Sequence, residues 1–155
     1  MFKTPAYYVS LVVMQYEDPI YLTSMWAHIA TVLPCVVLGA LSFWLAYRMC
    51  HGHARSSRRW HRLIGGAYMV LMLITALLSL LLPAFSGPRL LGHFGWIHSF
   101  SFLTLFLVPA AYRAIRRGNV ARHQRVMIGL YIGALLIAGG FTLVPGRFMH
   151  SLVFG

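Results

Sequence analysis

Four long apolar segments, separated by short polar turns, limit how this chain can fold more than any other feature. About 20 helical residues cross the roughly 30 Å hydrocarbon core of a bilayer. Segments of that length run over residues 23–47, 61–83, 93–114 and 123–144. No carboxylate lies inside any of them, because Glu17 and Asp18 are the only two in the chain. With 59% hydrophobic and 10% charged residues, the chain lacks the polar surface of a soluble domain. We therefore predict an all-α membrane protein.

The arginines predict how the four segments are oriented. Ten of the 13 Lys and Arg residues fall in two turns, after the first and the third segment. They are Arg48, Arg55, Arg58, Arg59, Arg62, Arg113, Arg116, Arg117, Arg122 and Arg125. Because Lys and Arg are retained on the cytoplasmic side, both turns are predicted to face the cytoplasm. The prediction is a four-transmembrane-helix up-down bundle in the bacterial inner membrane, with both termini on the non-cytoplasmic side.

One transmembrane domain is predicted over residues 23–150, between an interfacial, tyrosine-rich arm (1–22) and a short tail (151–155). The net charge of +11 does not indicate nucleic-acid binding, because the arginines lie between apolar spans and not on one face of a soluble fold. The expected partners are the lipid bilayer and, at the arginine turns, anionic lipids. The chain is expected to act alone or as a subunit of a larger membrane complex.

Histidines carry most of the chemical information in the sequence. Each predicted span has one histidine near its N-terminal end: His28, His61, His98 and His123. Spans one and three run inward, so His28 and His98 are expected near the outer surface. Spans two and four run outward, so His61 and His123 are expected near the inner surface. Ionisable residues inside membrane spans usually mark functional sites.

Paired histidines on diagonal helices are typical ligands of a flat cofactor in a four-helix bundle. The pattern predicts two bis-histidine haem b groups, one near each surface, that carry electrons across the membrane. The redox partner is expected to be a quinone or another protein, so the chain is a candidate membrane oxidoreductase. Candidate partners of the haem propionates are Arg62 and Arg125 on the inside and Arg147 or Arg89 on the outside.

The outer ligand of span three has two candidates. Only 25 positions separate His98 from His123, whereas 33 separate His28 from His61. Either span three is short, or His93 replaces His98 as the outer ligand. His93 otherwise serves as a propionate partner or as a proton donor.

Two alternatives to the haem sites remain open. A zinc or copper site would need ligands at one depth, which only His28, His93 and His98 could supply. A haem-free accessory or scaffold subunit would have interfacial histidines and arginine turns that bind a partner or lipid. Cys35 and Cys50 form no CxxC or CxxCH motif, which excludes a zinc knuckle and covalent haem attachment on spacing.

Several short stretches resemble the bacterial membrane family termed domain of unknown function 2306, whose name carries no function. They are Ala27-His28-Ile29, His61-Arg62-Leu63-Ile64-Gly65 with Tyr68, His123-Gln124-Arg125-Val126-Met127, and Leu143-Val144-Pro145-Gly146-Arg147. The resemblance covers residues 25 to 150. The layout of the spans also resembles the four-helix core of the cytochrome b561 superfamily. That second resemblance implies an outer haem on His28 and His98 and an inner haem on His61 and His123.

Overall fold

Helices make up nearly all of the chain that the computed structural model describes, which comprises residues 19–51, 54–83, 95, 97–144, 150 and 154. No strand occurs in these ranges. The helices are α1 (Pro19–Cys50), α2 (Ala54–Leu81), α3 (His98–Arg116), α4 (Val120–Leu130) and α5 (Ala138–Thr142). A π-helical segment, Tyr131–Ile137, joins α4 to α5. The continuous stretch Val120–Thr142 is called the fourth helix below.

Among the described residues, three helical stretches are long and apolar enough to cross a membrane: Pro19–Cys50, Ser57–Leu81 and Val120–Thr142. They are candidate membrane helices where spans one, two and four were predicted. The third predicted span is helical from His98 to Arg116, but this 19-residue helix is not among the three. It is short, and two arginines lie in its last turn.

Local sequence explains where the helices begin and turn. Pro19 starts α1, where its missing N–H costs nothing, so residues 19–22, the last part of the predicted arm, are helical. Gly118 turns the chain between α3 and the fourth helix with a φ of 75°, a conformation that suits glycine. Asn119 then caps the fourth helix, because its side chain accepts a hydrogen bond of 2.9 Å from the Arg122 N–H.

The four helical stretches pack in a ring in chain order. The most extensive contact is between α1 and α2, α2 also packs on α3, and α3 packs on α4. The π-helical segment of the fourth helix contacts both α1 and α3 and so closes the ring. As a result α1 lies diagonally opposite α3, and α2 lies diagonally opposite the fourth helix.

A single core fills the ring, and the outer surface is apolar. The described core residues are Cys35, Tyr68, Met72, Val108, Ala111, Met127, Leu130 and Leu135. Large apolar side chains point outward along every helix, among them Leu33, Val70 and Phe106. Exposed apolar side chains all round a helical ring are what a hydrocarbon environment favours. The fold is therefore that of a membrane protein.

Candidate functional site

His61 is hydrogen-bonded to α1 near the start of α2. Its Nδ1 atom lies 3.0 Å from the main-chain oxygen of Ser42. A carbonyl oxygen only accepts hydrogen bonds, so Nδ1 carries the proton and donates it. In a neutral imidazole the other nitrogen, Nε2, then holds the lone pair. His61 is thus fixed in the tautomer in which Nε2 can bind a metal.

His123 has the same arrangement in the other helical hairpin. Its Nδ1 lies 3.1 Å from the main-chain oxygen of Ala111 on α3. His61 and His123 both follow an arginine-rich turn, at the end of the bundle that we call the arginine end. They belong to helices that lie diagonally opposite. The structure therefore brings the two predicted inner ligands to one end of the bundle.

His28 makes a third bond of this kind towards the opposite end. Its Nδ1 lies 3.2 Å from the main-chain oxygen of Thr75 on α2. The three Nδ1–carbonyl bonds of His28, His61 and His123 each join two neighbouring helices. Histidines that bind metals through Nε2 commonly donate Nδ1–H to a carbonyl in this way.

The Nε2 atoms of these three histidines have no hydrogen bond within the described ranges. The buried unpaired side-chain atoms there are the hydroxyls of Ser42 and Tyr68, so Nε2 of His28, His61 and His123 is not among the fully buried atoms. These histidines therefore have the free nitrogen that a haem iron would need.

His98 differs from the other three histidines. It is 3% exposed, and its Nδ1 accepts a hydrogen bond of 3.0 Å from the Gly95 N–H. Its Nε2 must therefore carry the proton, which it donates to the Leu82 oxygen at 2.9 Å. Both ring nitrogens of His98 are engaged, so ligation by His98 would require at least one of these bonds to break.

The structure does not bring His28 and His98 to one depth. His28 bonds to Thr75, whereas His98 bonds to Leu82, seven positions further along the chain. At 1.5 Å per residue, their partners lie about 10 Å apart along α2. His28 and His98 would therefore have to move to hold one ligand between them.

The arginines that were predicted to hold propionates face outward where they are described. Arg62 is exposed and lines an open depression of about 350 Å³ with Arg58, Arg59 and Leu63. Arg125 is also exposed, and its Nε donates to the Ala121 oxygen of its own helix at 3.4 Å. His93, Arg89 and Arg147 lie outside the described residues.

No group of three or more His, Cys, Asp or Glu side chains could hold a metal ion among the residues that the structure describes. Of the two cysteines, Cys35 is buried with its Sγ 3.9 Å from Thr75 Oγ1, and Cys50 is exposed at the end of α1.

The sequence did not reveal the groups that hold the histidines. The acceptors on Ser42, Thr75 and Ala111 are main-chain carbonyls, which every residue has, so no residue type marks them. A weaker signal exists for Ser42 and Thr75, because each is a hydroxyl residue within a long apolar segment.

Comparison with known proteins gives a family but no function. The family described as Predicted membrane protein (DUF2306) matches residues 25–153. No curated protein and no solved structure matches the chain.

Proposed function

This chain belongs to the DUF2306 family of predicted membrane proteins, and we propose that it is a b-type cytochrome that transfers electrons across or within the membrane. The observation that carries the proposal is the tautomer of His61 and His123. Both hold Nδ1–H on a neighbouring carbonyl and present Nε2 at the same end of the bundle. When bound there, haem would supply one-electron chemistry.

The protein's own part is to hold and orient the ligands. Each Nδ1–carbonyl bond fixes the ring plane and raises the electron density on Nε2, which would strengthen a bond to iron. The inner site, formed by His61 and His123, is the better supported of the two. A second, outer site would use His28 with His93 or His98, and the engaged nitrogens of His98 favour His93.

The membrane arrangement is part of the proposal. A fourth span, formed by α3 with the residues before it, completes an up-down bundle in the bacterial inner membrane. The arginine end then faces the cytoplasm and both termini face the other side, as the positive-inside rule requires. A quinone in the bilayer or a redox protein would exchange electrons with the sites.

Anionic lipid is the proposed partner at the arginine end. The depression on α2 has three guanidinium groups and an apolar edge at Leu63, which is 58% exposed. Guanidinium groups bind phosphate in bidentate geometry. A phospholipid could place its phosphate on these arginines and its acyl chain against Leu63.

The absorption spectrum of the purified full-length protein tests the cytochrome proposal. The protein, supplied with haem during expression, should show a Soret band and, after dithionite, sharp α and β bands at about two haems per chain. His61→Ala and His123→Ala should each abolish the inner haem. A protein that binds no haem when haem is supplied in excess would refute the proposal.

His51 provides the matched control. The Nδ1 of His51 also donates to a carbonyl, the Tyr47 oxygen, at 2.9 Å. Unlike His61, however, His51 is exposed and its bond does not join two helices. His51→Ala should leave the spectrum and the haem content unchanged. If His61→Ala and His51→Ala retain the same haem content, His61 is not a ligand.

A haem-free scaffold is the second candidate function, and one observation favours it. The Nδ1–carbonyl bonds of His28, His61 and His123 join helix pairs without any ligand, so they can serve stability alone. A scaffold would be colourless, and His61→Ala would lower its stability without changing any spectrum.

A further inference from the structure

Two buried hydroxyl groups in this fold have no hydrogen-bond partner. Ser42 is 6% exposed and Tyr68 is 1% exposed, and within the described part of the chain neither Ser42 Oγ nor the Tyr68 hydroxyl is bonded. A buried, unpaired hydroxyl carries the full cost of losing its water. Because buried polar groups in native proteins are normally hydrogen-bonded, such a hydroxyl indicates that a hydrogen-bond partner binds there.

Ser42 also differs from several other hydroxyl residues in these helices. A serine or threonine inside a helix usually bonds to a carbonyl one turn earlier. Thr31, Ser79, Thr104 and Thr142 all do so. Ser42 leaves its hydroxyl free while its main-chain oxygen holds His61.

Ser42 lies beside the inner histidine site, and Tyr68 lies about two turns further along α2. A Cβ atom placed on Gly65, one turn after His61, would lie 3.2 Å from Ser42 Oγ. Tyr68 is seven residues after His61 and so lies on the same face of α2. Side chains lean towards the start of their helix, and α2 starts at the arginine end. Ser42 and Tyr68 therefore extend the inner site towards the middle of the bundle.

In the described conformation the arginines do not supply buried hydrogen-bond donors beside His61. Arg62 and Arg125 are exposed, whereas the unpaired hydroxyls of Ser42 and Tyr68 are buried. A Tyr or Ser hydroxyl donates one hydrogen bond and is well matched to an acceptor oxygen.

We propose that Ser42 and Tyr68 donate hydrogen bonds to an acceptor oxygen of the ligand bound at the inner site. The acceptor is a carboxyl oxygen of a haem propionate or a carbonyl oxygen of a quinone. This inference rests on the proposed function and deepens it, because it adds two binding residues to His61 and His123.

Thermal unfolding of the detergent-solubilised full chain tests the inference in three samples: without ligand, loaded with haem, and with a short-chain ubiquinone. Tyr68→Phe removes only the hydroxyl. In the ligand-free sample it should not lower the unfolding temperature, because an unpaired buried group is removed. In one ligand sample it should reduce ligand-induced stabilisation and weaken binding by about 2- to 10-fold. That sample identifies the source of the acceptor oxygen.

Ser42→Ala is the second variant and should behave in the same way. Tyr112→Phe is the control, because Tyr112 is 50% exposed on α3, and it should change nothing in any sample. Equal ligand stabilisation of the wild type and both variants would overturn the inference. A loss of stability without ligand in Tyr68→Phe would also overturn it, since the hydroxyl would then already have a partner.

Absorbance of the same samples separates this inference from the proposed function. A colourless wild type in the haem sample refutes the cytochrome, and the quinone sample then decides alone whether the two hydroxyls bind a ligand. A coloured wild type with unaffected variants refutes only the role of Ser42 and Tyr68.

Discussion

Gly39 lies where α1 meets the fourth helix, and Gly39→Ala gives the sharpest prediction about stability. A Cβ atom at this position would lie 2.5 Å from Cε2 and 2.6 Å from Cδ2 of Tyr131, and 3.2 Å from Cε2 of Tyr68. Carbon atoms in contact are normally about 3.5–4.0 Å apart. The Tyr131 ring would therefore have to move by about 1 Å.

The Tyr131 ring is held on several sides, so this movement is costly. Its hydroxyl donates to the Val36 oxygen at 3.1 Å, and the ring packs edge-to-face on Phe43 at 5.1 Å. Overpacking of this kind costs about 1–3 kcal/mol, and loss of the hydroxyl bond adds about 1 kcal/mol. Alanine's higher helix propensity offsets about 1 kcal/mol. We expect a net loss of about 1–3 kcal/mol in the free energy of unfolding.

Unfolding by sodium dodecyl sulphate in mixed micelles, followed by circular dichroism, measures this loss. Gly66→Ala is the matched control, since a Cβ on Gly66 would have no atom within 4 Å, and we expect it to be neutral or slightly stabilising. In a Tyr131→Leu background, where the ring is absent, Gly39→Ala should cost much less. The reasoning fails if Gly39→Ala is as stable as Gly66→Ala, or if its cost is the same in both backgrounds.

Three further predictions concern the cap, His98 and the arginines. Asn119→Ala should lower the free energy of unfolding by about 1 kcal/mol in the same assay, because it removes the helix cap; an unchanged value would contradict the cap's role. His98→Ala should lower the free energy of unfolding by about 2 kcal/mol or more, because it leaves two main-chain groups unpaired, whereas His51→Ala should leave it almost unchanged. Equal losses in the two variants would show that the His98 bonds do not stabilise the fold. Replacement of Arg58, Arg59 and Arg62 together by glutamine should weaken the retention of anionic phospholipid in native mass spectrometry, but not the retention of phosphatidylcholine. Retention of anionic phospholipid equal to that of the wild type would exclude lipid binding at these arginines.

The helices were predictable because membrane spanning leaves a strong signal in sequence. A long apolar stretch without carboxylates indicates a helix in lipid almost by itself, and spans one, two and four lie where expected. The start of α1 was missed by four residues, because Pro19 resembles a loop residue in sequence and yet is well suited to begin a helix. The π-helical segment was not predicted, since Tyr131–Ile137 has the apolar composition of any span.

The positions of the histidines were predictable in part. That His61 and His123 lie at one end of the bundle followed from depth and from the order of the helices. The tautomers of these histidines could not be predicted, because they depend on which carbonyl the ring contacts in three dimensions. The engagement of His98 by Gly95 and Leu82 was equally invisible, since both partners are main-chain atoms.

The Nδ1–carbonyl bonds at the arginine end also bear on how the protein is assembled during synthesis. His61 bonds to a residue 19 positions earlier and His123 to one 12 positions earlier, so each bond forms within one helical hairpin. The first hairpin can orient its histidine before the second has left the ribosome, because contacts close in sequence form early. Docking of the hairpins would then complete the proposed inner site from two halves that already have their final geometry. A ligand shared by His61 and His123 would join the hairpins at the last step of insertion, as a cross-link between two prefolded pieces.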